Sequence, residues 1–361
     1  MQQTRRALVA WLAALPASTA SDKGQVLPSE RRRFLDPATE FEIVRLTDAS
    51  YSSYLPANYG RFVSRRGDFL LYSSDREGSL QAYRLDVKSG QSRLLTEARK
   101  LDRETLTLLP EERGFCWFDG DRLMTAGFGN LRERQVYTTP AGWERAQGFG
   151  VSDDGLYGVL VERKDNGSHL RLVHLLRDTV QTVVEAQGLM SAPIVRPKRA
   201  GILYRLDENA WLVNFDGKDN RRLRLAPGRT GPTLWSPDGR TVLYLNFPAE
   251  KGKLNALREH TPDTGADVLV SNTSQFVLFG RNSDASVFVG VSGSKASPHI
   301  LLLVRSVKRE LTLCEHRASD PLSVAPTFAP SSQRIFYQSD KHGKPAIYTM
   351  TVERFVEKTE S

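Results

Sequence analysis

Three stretches decide the fold: Phe62-Val-Ser-Arg-Arg-Gly-Asp-Phe-Leu-Leu-Tyr-Ser-Ser-Asp75, Leu234-Trp-Ser-Pro-Asp-Gly-Arg-Thr-Val-Leu-Tyr-Leu-Asn246 and Phe328-Ala-Pro-Ser-Ser-Gln-Arg-Ile-Phe-Tyr-Gln-Ser-Asp340. Each sets a turn of Ser, Pro, Asp or Gly before a run of aliphatic, β-branched and aromatic residues. Short runs of that kind between turn residues read as strands. Working outward, the first stretch continues into Gln81-Ala-Tyr-Arg-Leu-Asp86, a turn at Lys88-Ser-Gly90 and a last short run at Arg93-Leu-Leu-Thr96. The second ends with the turn Thr261-Pro-Asp-Thr-Gly265 and Asp267-Val-Leu-Val270, and the third with Gly343 and Ala346-Ile-Tyr348. Weaker copies occupy residues 106–138, 151–185, 194–225 and 276–315. That makes seven units of about 40 residues between roughly 60 and 352, the period expected of a propeller or solenoid.

A four-stranded unit cannot bury both faces alone. Stacking seven around an axis closes the core and leaves only short, protected edges. The expected fold is all-β: a seven-bladed β-propeller with four-stranded antiparallel blades, preferred over a six-bladed ring or a pair of sandwiches. Phe41-Glu-Ile-Val-Arg-Leu46 precedes the first full unit and is expected to supply the outer strand of the last blade, locking the ring. The propeller is assigned to residues 41–352, followed by a C-terminal tail at 353–361.

The chain has 361 residues, 40% hydrophobic and 25% charged, which is ordinary globular composition and excludes wholesale disorder and fibrous repeats. Fifty Lys and Arg against 42 Asp and Glu give +8, a modest excess spread along the chain. Basic runs near 31–33, 196–199 and 218–224 lack aromatic interleaving, and no recognition helix is evident, so nucleic acid is not an expected partner. Residues 1–20 read as an export signal: Arg5 and Arg6, an uncharged apolar run at 7–15, then Ala17-Ser-Thr-Ala20. A periplasmic or extracellular protein is therefore expected, with an irregular lead-in at 21–40. No later stretch is apolar enough to span a bilayer. A monomer is expected. Cys116 and Cys314 are too few for a thiolate zinc cluster and are free to pair or not.

Phosphate-binding glycine loops and the Gly-x-Ser-x-Gly elbow are absent. Of the six histidines, His169 and His174 are five apart in a strand and so face opposite ways. His316 stands out because it leads into the inner strand of the last unit, where a propeller's channel lies. A satisfied structural histidine is the competing reading.

The repeats resemble those of the TolB-type propellers, and within these the oligogalacturonate lyase family. The stretches that carry the resemblance are Val44-Arg-Leu-Thr-Asp48, Leu71-Tyr-Ser-Ser-Asp-Arg-Glu-Gly78, Gly231-Pro-Thr-Leu-Trp-Ser-Pro-Asp-Gly239 and Ala325-Pro-Thr-Phe-Ala-Pro-Ser-Ser-Gln333 through Tyr348. The resemblance implies β-elimination on short pectin fragments, with a manganese or calcium ion held largely by histidines and a histidine base. This chain departs from that pattern. Pro232 stands where the family has the histidine of Gly-His-x-x-Trp, and Ser323-Val-Ala-Pro326 replaces a His-Pro-His-Pro run. Asp320 falls near the family's glutamine, and Tyr204-Arg-Leu-Asp-Glu208 holds no histidine. No metal ligand set is identified and no cofactor is expected.

A lyase without the metal would need guanidinium groups on the uronate, and Arg205, Arg229 and Arg317 are the candidates. His316 or Tyr204 would then be the base. Tyr54, Asn58, Arg205, Trp235 and His316 are expected at the channel mouth where the loops leading into the inner strands converge; blade-to-blade packing is the alternative for Trp235. The expected partner is an acidic oligosaccharide, with a non-catalytic propeller that binds a glycan or a protein as the competing reading.

Overall fold

The computed structural model describes residues 22–273 and 275–356, so the expected export signal lies outside the described residues. Seven antiparallel sheets follow one another along the chain, five of four strands and two of five. They are the blades of a propeller, with the first strand of each nearest the axis and beside the first strands of its neighbours. Among the described residues the helices are one turn at Pro321–Ser323 and one at Glu353–Val356.

The turn chemistry read from the sequence is what shapes each blade. Between the first two strands of blade five, Ser236 Oγ and Asp238 Oδ1 sit 2.7 Å apart, Thr241 N donates to Ser236 Oγ and Arg240 N to Asp238 Oδ1. Blade three repeats this with Ser152, Asp154 and Tyr157. The last residue of each such turn takes positive φ: Gly67, Glu112, Gly155, Lys198, Gly239, Ala285 and Ser332. Glycine is favoured there because a Cβ crowds the following carbonyl.

The strands bury aromatic pairs in equal register in the first and last blades. Tyr72 pairs Tyr83 and Tyr337 pairs Tyr348 across neighbouring strands, each with ring centroids 5.2 Å apart and stacked. Stacking of this kind adds to area burial. Cys116 and Cys314 are free, both buried, and lie in blades two and six.

Ring closure is as expected: Glu42–Arg45 pairs with Ala346–Thr351, Arg45 opposite Tyr348. The preceding segment differs from the irregular lead-in of the sequence reading. Arg32–Leu35 adds a further strand to the last blade, and Val26–Leu27 pairs with Ser92–Leu94 at the edge of the first blade. Their side chains are mostly exposed, which hid the alternation. Between the two strands, Glu30 takes a bidentate pair from Arg76 at 2.8 and 2.9 Å, and its Oε2 accepts Asp48 N.

Blade one has an unusual inner strand. Ser53–Tyr54 pairs normally, and Leu71 N returns to Phe62 O. The residues between leave the blade. Leu55 N donates to Gln338 Oε1 in blade seven, Asn58 Nδ2 donates to Phe279 O in blade six at 3.1 Å, and Tyr59 packs against the clusters of blades four to six. The segment therefore crosses the channel and divides it into two mouths.

Candidate functional site

The near mouth is where loops lead into the inner strands. The inner strands of blades two to six all break register there, between Asp102 and Thr107, Arg145 and Phe149, Ser191 and Ile194, Thr230 and Thr233, and Phe276 and Leu278. Such bulges re-aim side chains. They bring together arginines that are scattered in sequence. The Arg103 guanidinium lies 3.9 Å over the Tyr54 ring, and Arg145 pairs with Asp102. Arg163 Nε donates to Met190 O at 2.7 Å. Arg205 caps two carbonyls of blade five, Thr230 O at 3.1 Å and Gly231 O at 2.6 Å. Arg229 lies 4.1 Å over Phe247. Five guanidiniums thus come from blades two to five, with Asp102 paired to Arg145 and Glu208 beside Arg205.

Burial holds Arg205 below its ordinary pKa, with Glu208 opposing and Arg229 adding to the shift. The crossing segment, residues 55–60, is a plug that forms the floor. Burial raises the Tyr59 hydroxyl pKa, with Glu104 and Asp102 adding to the rise and a backbone hydrogen bond from Phe149 opposing it.

Of the sequence candidates, Tyr54, Arg205 and Arg229 fall on this mouth. Tyr204 lies beside them but is 1% exposed, its hydroxyl on Asn220 Oδ1 at 2.8 Å. Arg317 is exposed and pairs with Glu315. His316 is fully buried. Its Nδ1 accepts Ala318 N at 3.0 Å and its Nε2 lies 3.2 Å from Ser292 O. Burial lowers its pKa, so it is a neutral ring with both nitrogens engaged. Asn58 and Trp235 line the opposite mouth, and Trp235 is 3% exposed with Arg196 over its ring. Arg103, Arg145, Arg163 and Tyr59 were not singled out from the sequence.

The divalent metal implied by the resemblance does not fit the residues present. Pro232 and Ala325 offer no side-chain donor. Asp320 Oδ1 accepts Leu322 N as the cap of the Pro321–Ser323 turn. Gln338 fills the polar gap beside Ser323, bonding its carbonyl and Leu55 N. Among the described residues no three His, Cys, Asp or Glu side chains gather as a ligand set.

No protein-family model matches the chain. It is 23% identical over 381 aligned positions to the oligogalacturonide lyase of Pectobacterium atrosepticum, covering 91% of this chain and 98% of that protein. The oligogalacturonate lyase of Dickeya dadantii gives the same identity and coverage. A solved oligogalacturonate lyase in complex with manganese superposes with a TM-score of 0.86 at 22% identity, covering 91% of this chain and 98% of that one. TolB of Nitratidesulfovibrio vulgaris is 28% identical over 135 residues, 37% of this chain and 29% of its own. By sequence along nine-tenths of its length the chain is similar to the oligogalacturonate lyases, and it shares their propeller fold.

Proposed function

We propose that this propeller is an exported protein that binds acidic oligosaccharides, uronate chains such as pectin fragments, at the near mouth. The observation that carries the reading is the row of arginines from blades two to five. Planar guanidiniums match carboxylates two hydrogen bonds at a time. Successive uronates each present one carboxylate, and successive blades each present a guanidinium. Arg103 and Arg229 rest on aromatic rings, which holds their forks in place without using up their donors. The curated relatives named as lyases of such sugars point to the same substrate class.

Binding is favoured over turnover because the histidine and tyrosines that could act as base are engaged or buried. β-Elimination needs a group to take the proton α to the carboxylate. His316 has both nitrogens occupied, and Tyr59 and Tyr204 are held protonated by burial. The test is calorimetric titration with trigalacturonate and with neutral galactotriose, run beside an ultraviolet assay for the unsaturated uronate. The expected result is saturable binding of the acid alone, weakened about tenfold in Arg229→Ala and in Arg103→Ala and further weakened by salt. Absence of binding overturns the reading. Appearance of the unsaturated product replaces binding with an arginine-assisted lyase.

A further inference from the structure

The opposite mouth, beneath the plug, is a well of about 400 Å³ to which every blade contributes. That volume is within the range of small-ligand sites. Its wall mixes apolar residues, Leu108, Val151, Ile194, Leu234 and Phe328 among them, with polar ones such as Asn58, Thr107 and Asn282. Two guanidiniums line it as well. Arg281, from blade six, donates from Nε to Trp235 O at 2.6 Å and from Nη1 to Asn282 O at 3.2 Å. No carboxylate lies within ion-pair distance of it among the described residues. Arg61, from blade one, reaches Asp153 Oδ1 with one nitrogen at 3.3 Å. Asp153 is itself shared, since its other oxygen accepts Lys198 N. Two partly buried cations thus face a single carboxylate that lines the same space.

A charge taken out of water is costly unless paired. Burial pushes the Arg281 guanidinium down to about 10, far below its ordinary value, with Asp238 and Asp153 only partly opposing, and it pushes Arg61 down as well. An anion in the well would supply the missing charge. The apolar residues in the wall favour an anion with a carbon body over a bare hydrated ion.

We infer that the far mouth is a second ligand site, taking a small organic oxyanion between Arg61 and Arg281. Its chemistry is that of a carboxylate or a phosphate ester, both of which match a guanidinium fork. The Asn58–Phe279 and Leu55–Gln338 bonds hold the plug between this site and the arginine row, so the two are occupied separately.

The test is calorimetric titration of the full chain carrying Arg103→Ala and Arg229→Ala, which silence the uronate-binding near mouth, with galacturonate, glucose 6-phosphate and neutral galactose at millimolar concentration. Saturable heat is expected from at least one of the two anions and none from galactose. Which anion binds separates the carboxylate source from the phosphate source. Arg61→Gln and Arg281→Gln, each added to that background, should weaken the binding about tenfold or more. No heat from either anion overturns the inference. So does binding that survives both far-mouth variants. If Arg281→Gln fails to fold, Arg61→Gln decides alone, because its side chain is partly solvent-facing and its loss leaves the strand pairing intact.

Discussion

A buried neutral histidine is a liability in acid. His316 accepts a backbone N–H at Nδ1, a bond that a protonated ring cannot make, and burial lowers its pKa from 6.5. His260 shifts the same way, burial outweighing Asp267. A lowered histidine pKa means that the unfolded chain binds more protons than the folded one below about pH 6.5. Stability is therefore full above that value and falls as pH drops toward the folded pKa. The melting temperature should decline between pH 7 and pH 5, and His316→Asn should flatten that decline even if it lowers the plateau. A slope identical to wild type would assign the acid sensitivity elsewhere. Sequence reasoning expected His316 at the channel mouth, and the structure buries it fully. What the sequence does not carry is the Ser292 carbonyl and Ala318 amide that close around it. The arginine row was legible only in part for a related reason. Arg103, Arg145 and Arg163 sit among other charges in strands, and a charge in a strand reads as solvent-facing until the ring brings its neighbours alongside.

Turns tell the opposite story. Ser-x-Asp-Gly carries its own hydrogen-bond partners within five residues, so its structure follows from local chemistry and the repeat could be found. Gly239 shows how tightly the turns are nested: a Cβ there would meet the Pro197 carbonyl oxygen at 2.1 Å, and φ is +69°. Gly239→Ala should cost about 2 kcal/mol or more, read as a drop in denaturation midpoint. The exposed Lys198 holds φ at 58° in the matching turn of blade four. Lys198→Gly should raise stability by about 0.5 kcal/mol, the relief of the left-handed backbone exceeding the entropy that glycine adds to the unfolded chain. A destabilised Lys198→Gly would show that the side chain contributes a contact outweighing its strain. The plug stands at the other extreme. Asn58 finds its partner 221 residues away, and nothing local to Leu-Pro-Ala-Asn-Tyr-Gly announces that it leaves its blade.

At the scale of the whole molecule the ring is closed because Arg32–Leu35 and Glu42–Arg45 share a sheet with Ala346–Thr351. Seven blades and their closure were legible because each blade repeats a local pattern and one outer strand was missing from the last. The additional strands Val26–Leu27 and Arg32–Leu35 were not, since most of their side chains are exposed and only Leu27 and Phe34 pack inward. Removing residues 22–46 leaves the edge of Ala346–Thr351 unpaired and takes Glu30 away from Arg76. The shortened chain is expected to lose the single cooperative unfolding transition and to aggregate through the open edge, visible as a broad melt and early light scattering. A sharp transition near the full-length midpoint would show that blades one to six hold together without the clasp.

That shared sheet also bears on how the molecule is made. Glu42–Arg45 emerges from the ribosome some 300 residues before its partner Ala346–Thr351. Early blades can form during synthesis from neighbouring residues, but the clasp must wait, bare-edged, until that partner strand is made. The waiting segment is short and densely charged, with Glu30-Arg-Arg-Arg33 and Glu40 to Arg45 around its strands. Those charges act as a guard on the nascent chain, keeping the earliest strand from the wrong neighbour until the right one exists.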